Sequence, residues 1–192
     1  MSRLFFTLCV ISILAILSST AFSSTVVDFN RTAAIHQLNV YKCIHGQNSS
    51  YYYTKYDNCI QTFTQNWANT MADTGDFKHS DESYDQTTCN SNGGYGENIA
   101  AGYSTITEAL QAFYDEQDSY DYNNPAANHF SAMIWKSASL FAGAGAYNKS
   151  TTYGYYWSSN YGSVTGAAPN TIGAFSENVT PVSRTQAECE II

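Results

Sequence analysis

Apolar positions along the chain form one almost unbroken run and then a series of periodic stretches. The run occupies residues 4–17, behind Met1-Ser2-Arg3 and ahead of the small residues Ser18, Ser19, Thr20, Ala21 and Ser23. A positive start, an apolar middle and a small-residue end read as a secretory signal peptide over residues 1–23. The run falls short of the roughly 20 apolar residues of a bilayer span; an uncleaved amino-terminal anchor is the competing reading. Beyond it, Ala34, Leu38 and Tyr41 recur at helical spacing, with Gly46 available to end the helix. Asp57 predicts the cap of a second helix with the stripe Ile60, Phe63, Trp67 and Met71, closed by Gly75. Thr105-Ile-Thr-Glu108 is a capping box opening a third, with Ile106, Ala109, Leu110 and Phe113 as its stripe. Residues 139–147 and 152–161 read as two strands joined by a hairpin at Asn148-Lys-Ser-Thr151, with Tyr153, Tyr155 and Trp157 on one face. Residues 48–56 and 80–96 keep no period and read as loops, and the stretch from Phe175 offers an edge strand. With no repeat, long linker or low-complexity tract, one domain is expected.

Composition narrows the classes. Aromatics are abundant, with 16 Tyr, 10 Phe and 3 Trp, while only 12% of residues are charged, so the chain is a folded one. The formal charge of −8, without any basic run, excludes partners such as nucleic acid or an anionic membrane surface. No second apolar run reaches spanning length, so no transmembrane anchor is expected after the leader. Cys9 lies in the leader, and Cys43, Cys59, Cys89 and Cys189 remain. In an oxidising compartment these four form two disulfides, in any of three pairings. Sequons at Asn30, Asn48, Asn148 and Asn178 fit a secreted, extracellular glycoprotein.

Residues able to do chemistry are few. Continuing the third helix's stripe by three places Glu116 on its apolar side, where a carboxylate is costly unless it meets a partner or a cavity. Alternatively the helix ends near Asp115 and Glu116 is solvated. Of the histidines, His36 and His45 read as a packing residue and a partner of the first helix's C-terminal dipole. Ser80 follows His79 and Ser131 follows His129 by two, but adjacency in sequence does not make a nucleophile and its base converge. No nucleophile elbow, phosphate-cradling loop or HExxH occurs, and no enzymatic activity is expected.

Four motifs in order carry a resemblance: Asp76-Phe-Lys-His-Ser80, Gly94-Tyr-Gly-Glu-Asn-Ile99, Phe113-Tyr-Asp-Glu116, and Asn128-His-Phe-Ser-Ala-Met-Ile-Trp135-Lys-Ser137. This pattern resembles the CAP superfamily of cysteine-rich secretory, antigen 5 and pathogenesis-related proteins, over residues 29–180, with 181–192 left as a short tail. Asn170-Thr-Ile-Gly-Ala-Phe-Ser-Glu-Asn-Val179 resembles its fungal branch, whose members export sterols and fatty acids. The resemblance implies an α+β fold: a three-layer α-β-α sandwich with a small antiparallel sheet. It implies a cavity tetrad of His79, Glu97, Glu116 and His129. No cofactor is required, but the tetrad suits a divalent cation such as zinc, held by His79 and His129 with Glu97 and Glu116. The other reading of the tetrad is a hydrogen-bonded polar network.

The branch's lipid-binding loop matches Tyr120-Asp-Tyr-Asn-Asn-Pro-Ala-Ala-Asn128, making Tyr120 and Tyr122 candidate lipid contacts or, alternatively, residues that pack the loop onto the domain. The expected function is a secreted, non-enzymatic CAP-domain protein that binds a sterol, a fatty acid or an extracellular partner. The alternatives are a defence, virulence or signalling interaction protein without lipid, and a metal-assisted hydrolase. The chain departs from the family at Gly143-Ala-Gly145 and Ser159-Asn-Tyr161, where relatives carry Gly-Cys-Gly and Cys-Asn-Tyr. That double absence is what losing one disulfide as a unit would leave. It departs again at Phe113, where tryptophan is common, and at Ala168-Pro-Asn170.

Overall fold

The three long helices each begin where a side-chain oxygen meets free backbone N–H groups. In the computed structural model, which describes residues 23–81 and 94–191, Asn30 caps α1 (Arg31–Ile44) through Ala33 and Asp57 caps α2 (Asn58–Thr74) through Cys59 and Ile60. Gly75 ends α2 in the left-handed conformation. Both halves of the predicted capping box open α3 (Ile106–Asp115).

The strands β1 (Thr25–Val27), β3 (Tyr95–Ala101), β4 (Ala138–Tyr147) and β5 (Tyr155–Ser163) form an antiparallel sheet in the order β1-β4-β5-β3. The two-residue β2 (Lys55–Tyr56) pairs in parallel with β4. Side-chain alternation divides the sheet's contacts. Ala142, Ala144 and Ala146 of β4 face α2, whose Ile60, Ala68, Met71 and Ala72 pack on them. Phe141, Trp157 and Tyr161 face the opposite layer of α1, α3 and α4 (His129–Met133). The result is the expected α-β-α sandwich.

Several elements differ from expectation for physical reasons. β3 lies partly in a stretch that looks like loop, because Gly96-Glu97-Asn98 carries little strand propensity; pairing with β5 from Tyr95↔Gly162 to Ala101↔Tyr156 makes the strand. The hairpin closes one turn later than expected, with the Asn148 N–H donating to the Gly154 carbonyl, so Tyr153 precedes β5. Among the described residues no edge strand forms from Phe175 onward: β1 and β3 are the sheet's edges, and the chain from Phe175 forms α5 (Phe175–Asn178) and α6 (Gln186–Cys189). On α2, Thr64 occupies the centre of the buried face, between the Ile60 carbonyl and the Asn160 amide, while Phe63 and Trp67 are only half-buried on the flanks. Ala144 pairs with Ser158, and Ser159 pairs with Gly143. Ala144 and Ser159 therefore face opposite sides of the sheet, so cysteines there would not form one bridge with each other. Gly145 has no room for a side chain, since a Cβ would stand 2.4 Å from the Trp157 ring.

The last turn of α1 is buried on all sides, because α6 and the preceding chain cover it. Cys43 is bonded to Cys189. Cys59 is also disulfide-bonded, while Cys89 and the leader before Ser23 lie outside the described residues. The Ser183 and Arg184 N–H groups donate to the Ile44 carbonyl. His45 is buried: its Nδ1 donates to the Thr180 carbonyl at 2.5 Å and its Nε2 accepts from the Tyr114 hydroxyl at 3.2 Å. Burial lowers its pKa from the ordinary value of 6.5. Lys42 is fully buried too, which pushes its pKa well below the usual lysine value; its Nζ donates to the carbonyls of Tyr51 at 2.7 Å, Trp135 at 2.9 Å and Ala138, above the Tyr53 ring at 4.4 Å.

Candidate functional site

The four tetrad residues stand as two imidazole–carboxylate pairs. His79 follows α2 in a segment steadied by Trp67, whose indole N–H donates to the Lys78 carbonyl at 3.1 Å. Glu97 accepts from His79 Nδ1 at 2.8 Å and from the Ser80 N–H at 2.9 Å. Its side chain is 12% exposed against 59% for His79, and its Oε2 is buried without a hydrogen-bond partner among the described residues. The hydrogen bond to Glu97 raises the His79 pKa above 6.5, against a smaller opposing effect of burial.

α3 ends at Asp115, yet Glu116 is not a free terminal group. Its Oε1 accepts from His129 Nδ1 at 2.5 Å and its Oε2 accepts from the His129 backbone N–H at 2.8 Å. The carboxylate thereby satisfies the exposed start of α4, alongside the Asn128 cap on Ser131. Phe113 stacks on the His129 ring at 4.8 Å. Asn98, one residue beyond Glu97, donates to the His129 carbonyl at 2.9 Å and ties β3 to α4. Alternation along β3 puts Asn98 on this side and Glu97, with Tyr95 and Ile99, on the α2 side. Among the described residues no three His, Cys, Asp or Glu side chains gather to hold a metal ion. Each imidazole turns its Nδ1 to its own carboxylate, and a carboxylate on one ring nitrogen is also how metal-binding histidines are oriented.

Tyr120 and Tyr122 pack against the domain. Tyr120 meets Phe130 edge-on at 5.3 Å and Tyr122 at 4.9 Å, and burial pushes the Tyr120 hydroxyl up to about 12. They anchor the start of a loop whose later residues, Pro125, Ala126 and Ala127, form one wall of an apolar cavity of about 430 Å³. The facing wall is Ile172, Gly173 and Phe175. Asn170 holds the walls together from the left-handed backbone region, at φ 63°. Its Oδ1 accepts from Ser131 Oγ at 2.6 Å and its Nδ2 donates to the Asn128 carbonyl at 3.1 Å. Behind it Pro169 fills the space that a Cβ on Gly96 would take, at 2.7 Å. Asn98 and Asn170 both stand in the motifs quoted above, but only their contacts reveal what they do. The cavity itself has no periodic signal, because it lies between two loops.

A three-layer sandwich with paired His–Glu side chains at α4 and β3 defines a domain of the CAP type. Residues 35–161 match CAP, the Cysteine-rich secretory protein family, and the chain belongs to it. It is 34% identical over 160 residues to Protein PRY2 of Saccharomyces cerevisiae, covering 81% of this chain and 42% of that protein. It is 33% identical over 117 residues to Secreted protein RBT4 of Candida albicans, covering 54% of this chain and 33% of that one. The chain thus spans less than half the length of these relatives. The solved structure of BmVAL-1 shares the fold at a TM-score of 0.53 and 19% identity, covering 74% of this chain and 80% of that one. Among the described residues no helix is long and apolar enough to cross a membrane.

Proposed function

We propose that the protein is exported and acts, without catalysis, as a carrier of a small hydrophobic ligand of the sterol or fatty-acid class. The observation that carries this reading is the cavity between Pro125–Ala127 and Ile172–Phe175, apolar on both walls and of ligand size. Each 100 Å² of ligand surface withdrawn from water there contributes about 2.5 kcal/mol. The resemblance to the fungal branch supports the ligand class, and the naming of RBT4 as a secreted protein supports export. In this reading Tyr120 and Tyr122 seat the loop, and the two His–Glu pairs hold His79 to β3 and the α3 end to α4.

Native mass spectrometry of the chain from a eukaryotic secretory host, deglycosylated and measured with and without EDTA, tests the reading. A co-purifying lipid mass is expected. Ile172 lines the cavity yet is 93% exposed, so Ile172→Asp spares the fold. That variant should weaken uptake of a fluorescent sterol or fatty acid at least about tenfold, or 1.4 kcal/mol. Protein that carries no lipid and takes up neither probe overturns the carrier reading and leaves a surface-interaction protein in its place.

A further inference from the structure

The four sequons separate by what each asparagine amide already does in the fold. N-glycosylation attaches the sugar to Nδ2 and leaves the side-chain carbonyl oxygen free to accept a hydrogen bond. Asn30 is exposed and caps α1 with its oxygen, which accepts from the Ala33 N–H at 3.0 Å. Asn48 is exposed too, and its oxygen accepts from the Ser50 N–H at 3.0 Å in the same oxygen-only manner. Neither structural role uses Nδ2. Asn148 is different: it is 5% exposed, and its Nδ2 donates to the Ala72 carbonyl in the last turns of α2 at 2.9 Å. Asn178 is 7% exposed, with Nδ2 donating to the Ala174 carbonyl at 2.9 Å and Oδ1 accepting from the Ser137 N–H at 3.1 Å.

We infer that the exported chain carries N-linked glycans on Asn30 and Asn48, and that Asn148 and Asn178 stay bare. This rests on the proposed export. A branched, hydrated oligosaccharide cannot occupy the sites of the two buried amides without forcing out the contacts that close the hairpin and α5. The modified pair brackets α1, a helix of 14 residues and so about 21 Å long. The Asn48 glycan would stand at the rim of a second groove, lined with it by His36, Asn39, Tyr52 and Arg184. The apolar cavity has no glycan-bearing asparagine in its lining.

The test is a peptide map of the folded, secreted full-length chain after enzymatic release of N-glycans, which converts each modified asparagine to aspartate. The expected map shows conversion at Asn30 and Asn48 only. Asn30→Gln and Asn48→Gln should each remove one glycan's mass, and the double variant should run as the released protein does. A glycan on Asn148 or Asn178, or a bare Asn30 or Asn48, overturns the assignment. If the chain's own leader fails to deliver it, a leader known to work in the host replaces residues 1–23. The export reading then fails while the map is still read.

Discussion

Replacing Lys42 with methionine keeps most of the side chain's volume and removes its Nζ donors from among the carbonyls of Tyr51, Trp135 and Ala138. When a buried ion pair is exchanged for apolar residues, both charges leave together and the change is often neutral. Here the partners are backbone carbonyls, which no side-chain substitution removes. Each acceptor left dry costs about 1–3 kcal/mol. Crediting the methionine with better burial still leaves a net loss of about 3–5 kcal/mol, a large share of the about 5–15 kcal/mol that holds a domain together. At about 2–4 °C per kcal/mol for a domain of this size, Tm should fall by roughly 10–15 °C. Circular dichroism melts of the disulfide-bonded protein read this directly, and urea unfolding with an unchanged slope shows that the native state is the same. A Met variant melting within about 3 °C of its parent would refute the reasoning that the Lys42 Nζ organises these three segments.

Other consequences are as direct. Asn170→Ala loses the bonds to Ser131 and Asn128 and leaves a Cβ residue at φ 63°. It should cost about 1–3 kcal/mol and loosen probe binding in the cavity more than Asn170→Gly does. Cys189→Ser opens the bridge to Cys43 and should cost about 2–5 kcal/mol in chemical unfolding. Because burial lowers the His45 pKa, the neutral ring favours the fold, so its contribution is full above pH 6.5 and is lost as pH falls below it. His79 has the opposite sign: raised by Glu97, it adds stability that is full below pH 6.5 and lost as pH climbs through the folded value. Urea midpoints between pH 5 and 8 for His45→Gln and His79→Asn should lose these opposite slopes.

Where side chains act on their own local backbone, the sequence is readable. Asp57, Gly75 and the Thr105–Glu108 box announce α2 and α3 within a residue because capping is a short-range event. Glu116 is the most informative case, since a stripe of Ile106, Ala109, Leu110 and Phe113 marks a carboxylate that needs a partner, and the partner is His129. What stays hidden is set by distant chain. β3 exists because β5 pairs with it; the five-residue α4 is too short to show a period and depends on Glu116 from another element. The C-terminal residues look like a loose end until His45 and Cys43, more than a hundred residues away, are seen to hold Thr180 and Cys189. The motif names His79, Glu97, Glu116 and His129, which the structure sets in two pairs, but the alternation of β3 that turns Glu97 and Asn98 to different sides is a property of the pleat.

The Cys43–Cys189 bond, across a separation of 146 residues, also makes most of the domain a covalent ring. A protease that cuts an exposed loop once between these two cysteines opens the ring and releases nothing. α2, α3, α4 and β3 to β5 all lie inside it, as do both walls of the cavity. Nicked molecules would therefore keep their parts in place, and would separate on a gel only after a reducing agent is added. Under the proposed export, degradation then requires a second cut or a reductant, so damage to a loop need not end the protein's working life.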